Sequence, residues 1–392
     1  MGSMKIATMV RGYIPLPRPA GIVYAPIDLA VDIGKGLRAN GHTFDFYAPE
    51  ASSSNDGHIS HGLRPLVKSQ RDFSQFLRNV ELMNHYTLGL WDQYFVLEMY
   101  KQALAGKYDI LHFHHPETAL AFAKMFPTVP TIYTLHDPIS AMSAETYEMF
   151  RSPNQHFVSI SDNQRKVAPN LPYIGTVYNG IDTSVFKPTP HKGEYLLYVG
   201  RIVPEKGIKE SIQVALATGE KLVIIGPVYT EGKKYFNTHI KPFLGEQIQY
   251  LGFIEHDKLS DYYNKAKAFL MPIRWEEPFG VTVVEAMASG VPVIGFRRGS
   301  LPEIIDHGRT GFIVDNIQQM IEAVKNIDQI SGGACLKHVK EKFSTEVMVR
   351  GYEGVYEKAM RDSRPVSRRI SLEPLKPLRP KSPIVPRPAL SR

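Results

Sequence analysis

Short runs that are apolar on both faces recur along this chain, each followed by a segment long enough for a helix. In the first half they are "KIATMV", "TFDFYAP", "DILHFHH", "TIYTLHD", "HFVSIS" and "IGTVYN". In the second half they are "YLLYVG", "KLVIIGP", "IQYLGF", "AFLMPI" and "VPVIGF". A strand buried on both faces belongs to a parallel sheet, because only parallel sheets are covered by helices on each side. Two such series predict two doubly wound α/β domains, and 392 residues exceed one ordinary core. The polar, Pro- and Gly-containing stretch "NGIDTSVFKPTPHKGE" separates the series, which places the boundary near Lys187 and gives domains of 1–187 and 188–345. A helix over 346–361 should cross back onto the first domain. Residues 68–105 interrupt the alternation with apolar positions at helical spacing, which predicts a helical insertion. Open parallel sheets bind ligands at the carboxyl ends of their strands, so two facing sheets predict a site in the central cleft.

Charge is unevenly placed. Lys and Arg exceed Asp and Glu by 46 to 39, a net +7. Residues 362–392 hold eight of the cations and two of the acids, +6, leaving the body 38 to 37 and almost neutral. This argues against a nucleic-acid-binding face on the body. In the tail, Pro374, Pro377, Pro380, Pro383 and Pro386 stand three apart, the repeat of a polyproline II helix. Its basic, core-poor composition predicts a disordered segment, open to contact with a Pro-recognising domain or anionic headgroups at a membrane surface. No apolar run approaches the ~20 residues of a spanning helix. No basic-then-apolar leader opens the chain, and Cys335 stands alone. A reducing, cytoplasmic location is expected.

The chemistry concentrates in "RWEEPFGVTVVEAMASG", residues 274–290. Gly280 lets backbone amides approach a ligand, and a helix starting there offers unpaired donors and a positive dipole end to a phosphate. Carboxylates on such a surface make sense as partners of hydroxyls. That leaves Glu277 for sugar hydroxyls and Glu285, about two turns on, for a ribose. In "YVGRIVPEKG", Arg201 and Lys206 follow a strand end in a Gly-bounded loop and would neutralise a departing diphosphate. A nucleotide sugar satisfies every part of this set.

With those residues assembled, the chain resembles retaining glycosyltransferases of family 4, with the two-domain GT-B fold. The resemblance runs from Met4 to about Met360, through "AGIVYAPIDLAVDIGKGLRANGH", "YNGIDTSVFKP", "YVGRIVPEKG", "EPFGVTVVEAMASGVPVI" and "GSLPEIIDHGRTGFIV". It implies that Arg201 and Lys206 hold the donor diphosphate, Glu285 the ribose and Glu277 the transferred sugar. It further implies that amides of Phe279, Gly280 and Val281 contact sugar or phosphate, and that Gly21 lets the first-domain loop approach the diphosphate. His136, at a strand end, matches the histidine that contacts the donor sugar. The family has a doubled glycine where this chain has Ala20-Gly21.

The implied reaction moves a hexosyl group from a nucleoside diphosphate sugar (UDP- or GDP-) to an acceptor hydroxyl, with retention and without a cofactor or metal. The partners are then the donor and an unspecified acceptor. His112, His114 and His115 in "HFHHP" invite a metal reading, since alternation puts the first two on one face. No Cys or Asp cluster completes a ligand set. Alternatives are a nucleotide-sugar 2-epimerase on the same fold, or a non-catalytic scaffold acting through its tail. A dinucleotide oxidoreductase would need G-x-G-x-x-G after the first strand, and "MVRGYIPLP" lacks it.

Overall fold

The computed structural model describes residues 2–19, 21–22, 24–50, 57–69, 72, 87–186 and 193–363. Ala20, residues 70–71 and 73–86 of the expected insertion, Lys187 at the expected boundary and the tail from 364 lie outside them. Two sheets form. The first joins β1 (Lys5–Met9), β2 (Thr43–Tyr47), β3 (His58–Ile59), β4 (Ile110–Phe113), β5 (Thr131–Leu135), β6 (Gln155–Ser159) and β7 (Tyr173–Thr176) in the order β3-β2-β1-β4-β5-β6-β7. The second joins β8 (Tyr195–Val199), β9 (Leu222–Ile225), β10 (Ile248–Tyr250), β11 (Ala266–Met271), β12 (Val293–Phe296) and β13 (Gly311–Val314) as β10-β9-β8-β11-β12-β13. Every pairing is parallel. β4, β5, β8 and β9 are buried at each residue, as continuous apolar runs require. β3 and β13 were not among the expected strands. β3 is only two residues long, and β13 is a short "GFIV" directly after a turn.

In each sheet the strand order reverses beside the strand that comes first in the chain, between β1 and β4 and between β8 and β11. Crossovers leave in opposite directions at such a point and open a crevice beyond the strand ends. The loops after β8 and β11 hold the residues singled out in the second half. Those after β1, β4 and β5 hold Gly21, His114 with His115, and His136, while His112 lies within β4 itself.

The helix Thr345–Asp362 closes the chain. Ser344 caps it by accepting from the Val347 amide. Its apolar stripe of Met348, Val349, Tyr352, Val355, Tyr356 and Ala359 is buried with Ile33, Leu37, Phe44 and Val177 of the first sheet's core. Gly36 makes this possible: a Cβ there would stand 2.4 Å from Val349 Cγ2. Each large aliphatic or aromatic side chain so buried contributes about 1.5–3 kcal/mol, which holds the helix to the first sheet although it follows the second in sequence. No helix among the described residues is long and apolar enough to cross a membrane.

Candidate active site

A cavity of about 620 Å³ lies between the two sheets. First-sheet residues Arg18, Ile22, Tyr24 and Asp28 line one side, and Arg201, Lys206, Glu277, Gly280, Val281 and Glu285 line the other.

Local geometry explains how the second-sheet groups converge. Gly207 ends the turn Pro204–Lys206 at φ +76°, and a Cβ there would stand 1.9 Å from the Pro272 carbonyl oxygen. Only glycine lets the loop after β8 lie against the loop after β11. The two are joined where the Arg274 amide donates to the Glu205 carbonyl at 2.8 Å. Lys206 Nζ thereby reaches Glu277 Oε2 in a short ion pair and stands 4.7 Å above the Trp275 ring. The Trp275 indole donates to the same oxygen at 2.9 Å. Glu277 Oε1 accepts no hydrogen bond from the described residues. Glu277 is 8% exposed and lines the cavity, so this oxygen is available to accept from a ligand hydroxyl.

Gly280, at φ +89°, caps the helix Val281–Ala288. The first amides of a helix have no partner within it, and they carry its positive dipole end. Ser300 Oγ donates to the Phe279 carbonyl at 2.7 Å and fixes the approach. One turn into this helix, Glu285 is 4% exposed and lines the cavity. Its Oε2 accepts from the Tyr263 hydroxyl at 2.8 Å, and its Oε1 accepts from His256 Nε2 at 2.8 Å. Hydrogen bonding to Glu285 is the main influence on His256 and raises its pKa, against desolvation. Arg201 follows β8 with its side chain exposed and has no ion pair among the described residues.

Gly21 (φ +78°) and His136 do not line the cavity themselves. Gly21 adjoins Ile22, which does. His136 shares a hydrogen bond of 2.8 Å between its Nε2 and His114 Nδ1, and the two rings stack. Burial lowers its pKa to about 3, so it is a neutral imidazole near pH 7. Its neighbour Asp137 feels the Arg201 charge across the cleft, which opposes the upward push of desolvation. The β5 end therefore lies within electrostatic reach of the loop after β8.

Two of the three histidines in the run are tied up by neighbouring side chains, whereas His114 bonds to His136 and leaves its buried Nε2 without a hydrogen bond among the described residues. His112 spends both nitrogens on hydroxyls, Thr134 Oγ1 at 2.8 Å and Tyr356 at 2.9 Å. His115 bonds and stacks with Tyr24, and burial lowers the pKa of all three. Among the described residues, no group of three or more His, Cys, Asp or Glu could hold a metal ion. Cys335 is buried, and that burial raises its thiol to about 12.

Comparison with known proteins follows the same division. Residues 29–185 match the family model for glycosyltransferase family 4, and residues 182–337 match that for glycosyl transferases group 1. The chain belongs to glycosyltransferase family 4. The N-acetyl-alpha-D-glucosaminyl L-malate synthase of Bacillus anthracis is 28% identical over 235 residues, 52% of this chain and 58% of the relative. The chain spans about half the length of the curated relatives it matches first. Among solved structures, sucrose-phosphate synthase from Thermosynechococcus elongatus has a TM-score of 0.67 at 17% identity, over 92% of this chain and 100% of that one. Anabaena HepE, in complex with UDP and glucose, has a TM-score of 0.65 at 16% identity, over 89% and 98%. These likenesses show a GT-B fold of two Rossmann-like domains. The family is one of sugar-transferring enzymes, which disfavours the 2-epimerase alternative.

Of the residues singled out in the sequence, Arg201, Lys206, Glu277, Gly280, Val281 and Glu285 come together along one side of the cavity. Sequence reasoning missed His256, Tyr263 and Trp275, the side chains that hold the two glutamates. The available signal was that His256 and Tyr263 stand seven apart, two turns on one helix face, just before β11.

Proposed function

We propose that the cleft binds a nucleoside diphosphate sugar, UDP- or GDP-linked, and transfers its hexosyl group to an acceptor hydroxyl with retention of configuration. The observation that carries this is the convergence on one cavity wall of two cations, a glycine-capped helix start and two glutamates with different donor sets. Arg201, Lys206 and the amides of 279–281 suit the diphosphate. Glu277 Oε1 suits a sugar hydroxyl, and Glu285 a ribose. His136, neutral and with Nδ1 unpartnered among the described residues, suits a hydroxyl of the donor sugar rather than the phosphate.

The barrier of such a transfer is dominated by charge separation as the diphosphate leaves an oxocarbenium-like sugar. Cations and amides fixed before the reaction lower it most. Lys206, held by Glu277 and Trp275, meets the growing negative charge without reorganising, Arg201 adds a second cation, and the expected route needs no metal ion. The acceptor attacks from the face the diphosphate leaves, and a donor phosphate oxygen takes the acceptor proton. Closure of the two sheets' domains excludes water. The basic tail, 362–392, is assigned a peripheral contact, with an anionic membrane face or a protein.

Calorimetry with UDP, GDP and ADP tests the binding half. One of them should bind the wild-type chain, and hydrolysis of the matching sugar nucleotide should follow. The anomeric configuration of the product, read by proton NMR with an acceptor panel, tests retention. A covalent glycosyl-enzyme trapped on any side chain would exclude the front-face route.

A further inference from the structure

Glu285 is gripped from two sides by one helix. His256, the first residue of the helix His256–Tyr263, meets Oε1 through Nε2 at 2.8 Å, and Tyr263 donates to Oε2 at 2.8 Å. The His256 nitrogen facing a carboxylate oxygen must carry the proton. Phe186, on the segment joining the two sheets, packs edge-on against both rings, with centroids 6.2 Å away in each case. Tyr263 is fully buried, whereas the His256 side chain is 56% exposed and lines the cavity.

The terminal torsion of a glutamate is soft, so a single donor leaves the carboxylate plane poorly defined. Donors on opposite oxygens fix it. A carboxylate has about four lone-pair directions. With one taken on each oxygen, one remains on each, side by side on a group that lines the cavity.

We propose that His256 is a positioning residue for nucleoside selection: with Tyr263 it fixes the Glu285 carboxylate so that each oxygen meets one of the two vicinal hydroxyls of a ribose. The inference rests on the nucleotide-sugar reading of the cleft. It adds a residue outside every motif quoted for the family resemblance, together with a specificity that the residue controls.

The test compares ribonucleoside and 2′-deoxyribonucleoside diphosphates by calorimetry on the full chain, using UDP, GDP and ADP with their 2′-deoxy counterparts. Wild type should prefer the ribo form by roughly tenfold or more, the scale of a hydrogen bond to a charged group. In His256→Phe the preference should fall to within about threefold, the ribo form losing more affinity than the 2′-deoxy form, which keeps only the 3′-hydroxyl contact. His256→Gln, whose amide N–H lies at a similar reach to Nε2–H, should restore most of it. An unchanged preference in His256→Phe, or an equal loss for both forms, overturns the positioning role and leaves the nucleotide reading standing. A wild-type chain that binds none of the ribonucleotides overturns the nucleotide reading itself, and the inference with it. Circular dichroism and melting of His256→Phe report its fold, and His256→Gln gives an independent readout should that variant unfold.

Discussion

Lys206 is set by three constraints at once: a glycine-terminated turn, a carboxylate and an indole face. Glu277 and Trp275 hold its ammonium at the cavity wall, where the proposed diphosphate would meet it. Lys206→Ala removes a preorganised cation and leaves a nearly buried carboxylate without its partner. Turnover should fall by about 3 kcal/mol in barrier, on the order of a hundredfold in kcat, measured with the donor that calorimetry identifies. A loss under threefold would remove Lys206 from the diphosphate site. His256 gives a second prediction, on stability. The groups facing it are Glu285 on the helix Val281–Ala288, Asp28 on the helix Ala25–Ala39 and Arg18 before that helix; Glu285 and Asp28 raise its pKa and Arg18 opposes them. Because its folded pKa lies above the ordinary 6.5, its ion pair stabilises fully below that value and is lost as pH rises through the folded pKa. The Tm difference between wild type and His256→Gln should therefore be largest at acid pH and shrink toward pH 9. A difference constant with pH would mean the pair carries no charge. At this scale the sequence exposed Arg201, Lys206, Glu277 and Glu285, because strand-end loops and glycines announce them. It did not expose His256, whose partner lies 29 residues away. Nor did it show that the hydroxyls of Thr134 and Tyr356 consume His112, which "HFHHP" offered to a metal.

Elements were more legible than their anchors. The apolar spacing in 68–105 predicts helix, and the described part, Thr87–Leu104, buries Phe95, Val96, Met99 and Tyr100 against the first sheet. What locks it there is polar. Asp92 accepts from the Gly12 amide at 2.5 Å and pairs with Arg11 at 3.2 Å, while Arg11 also reaches Glu117 at 2.8 Å. Burial pushes the Asp92 carboxyl up to about 6, against the pull of Arg11 and the Gly12 amide, so it is ionised at pH 7. No periodicity reveals an aspartate that ties a helix to the loop after β1, since the contact spans 80 residues. Asp92→Ala strands the largely buried Arg11 beside an exposed Glu117 and should cost about 3 kcal/mol. Glu117→Ala, whose carboxylate is 52% exposed, should cost under about 1 kcal/mol. Urea unfolding followed by tryptophan fluorescence separates the two. Equal costs would mean that the Arg11 network is not what fastens this helix.

The alternation of apolar runs carries the whole-molecule plan, because parallel strands need both faces apolar and nothing else in the chain imitates that. How the two sheets meet is a different matter, in which single polar groups join the apolar contacts of Ile160, Ile181 and Tyr178 with the second core. Glu303, in the short helix after β12, accepts from the Asp162 and Asn163 amides at 2.8 and 2.7 Å and from the Tyr178 hydroxyl at 3.0 Å. All three donors belong to the first sheet's side, so one carboxylate from the second sheet caps the turn Asn163–Val167 across the cleft. Glu276 adds a bond from Asn163 Nδ2 at 3.1 Å. Nearly every group assigned to the nucleotide lies on the second sheet alone, whereas transfer needs both sheets held together. Glu303→Ala should therefore leave nucleoside diphosphate affinity within about twofold of wild type and lower kcat/KM for transfer by roughly tenfold, the scale of a charged hydrogen bond. Small-angle scattering should show a larger radius of gyration for the variant, and Glu303→Gln, with one acceptor oxygen, should fall between. If nucleotide affinity drops in step with transfer, Glu303 shapes the second domain itself and the bridge is not what holds the cleft closed.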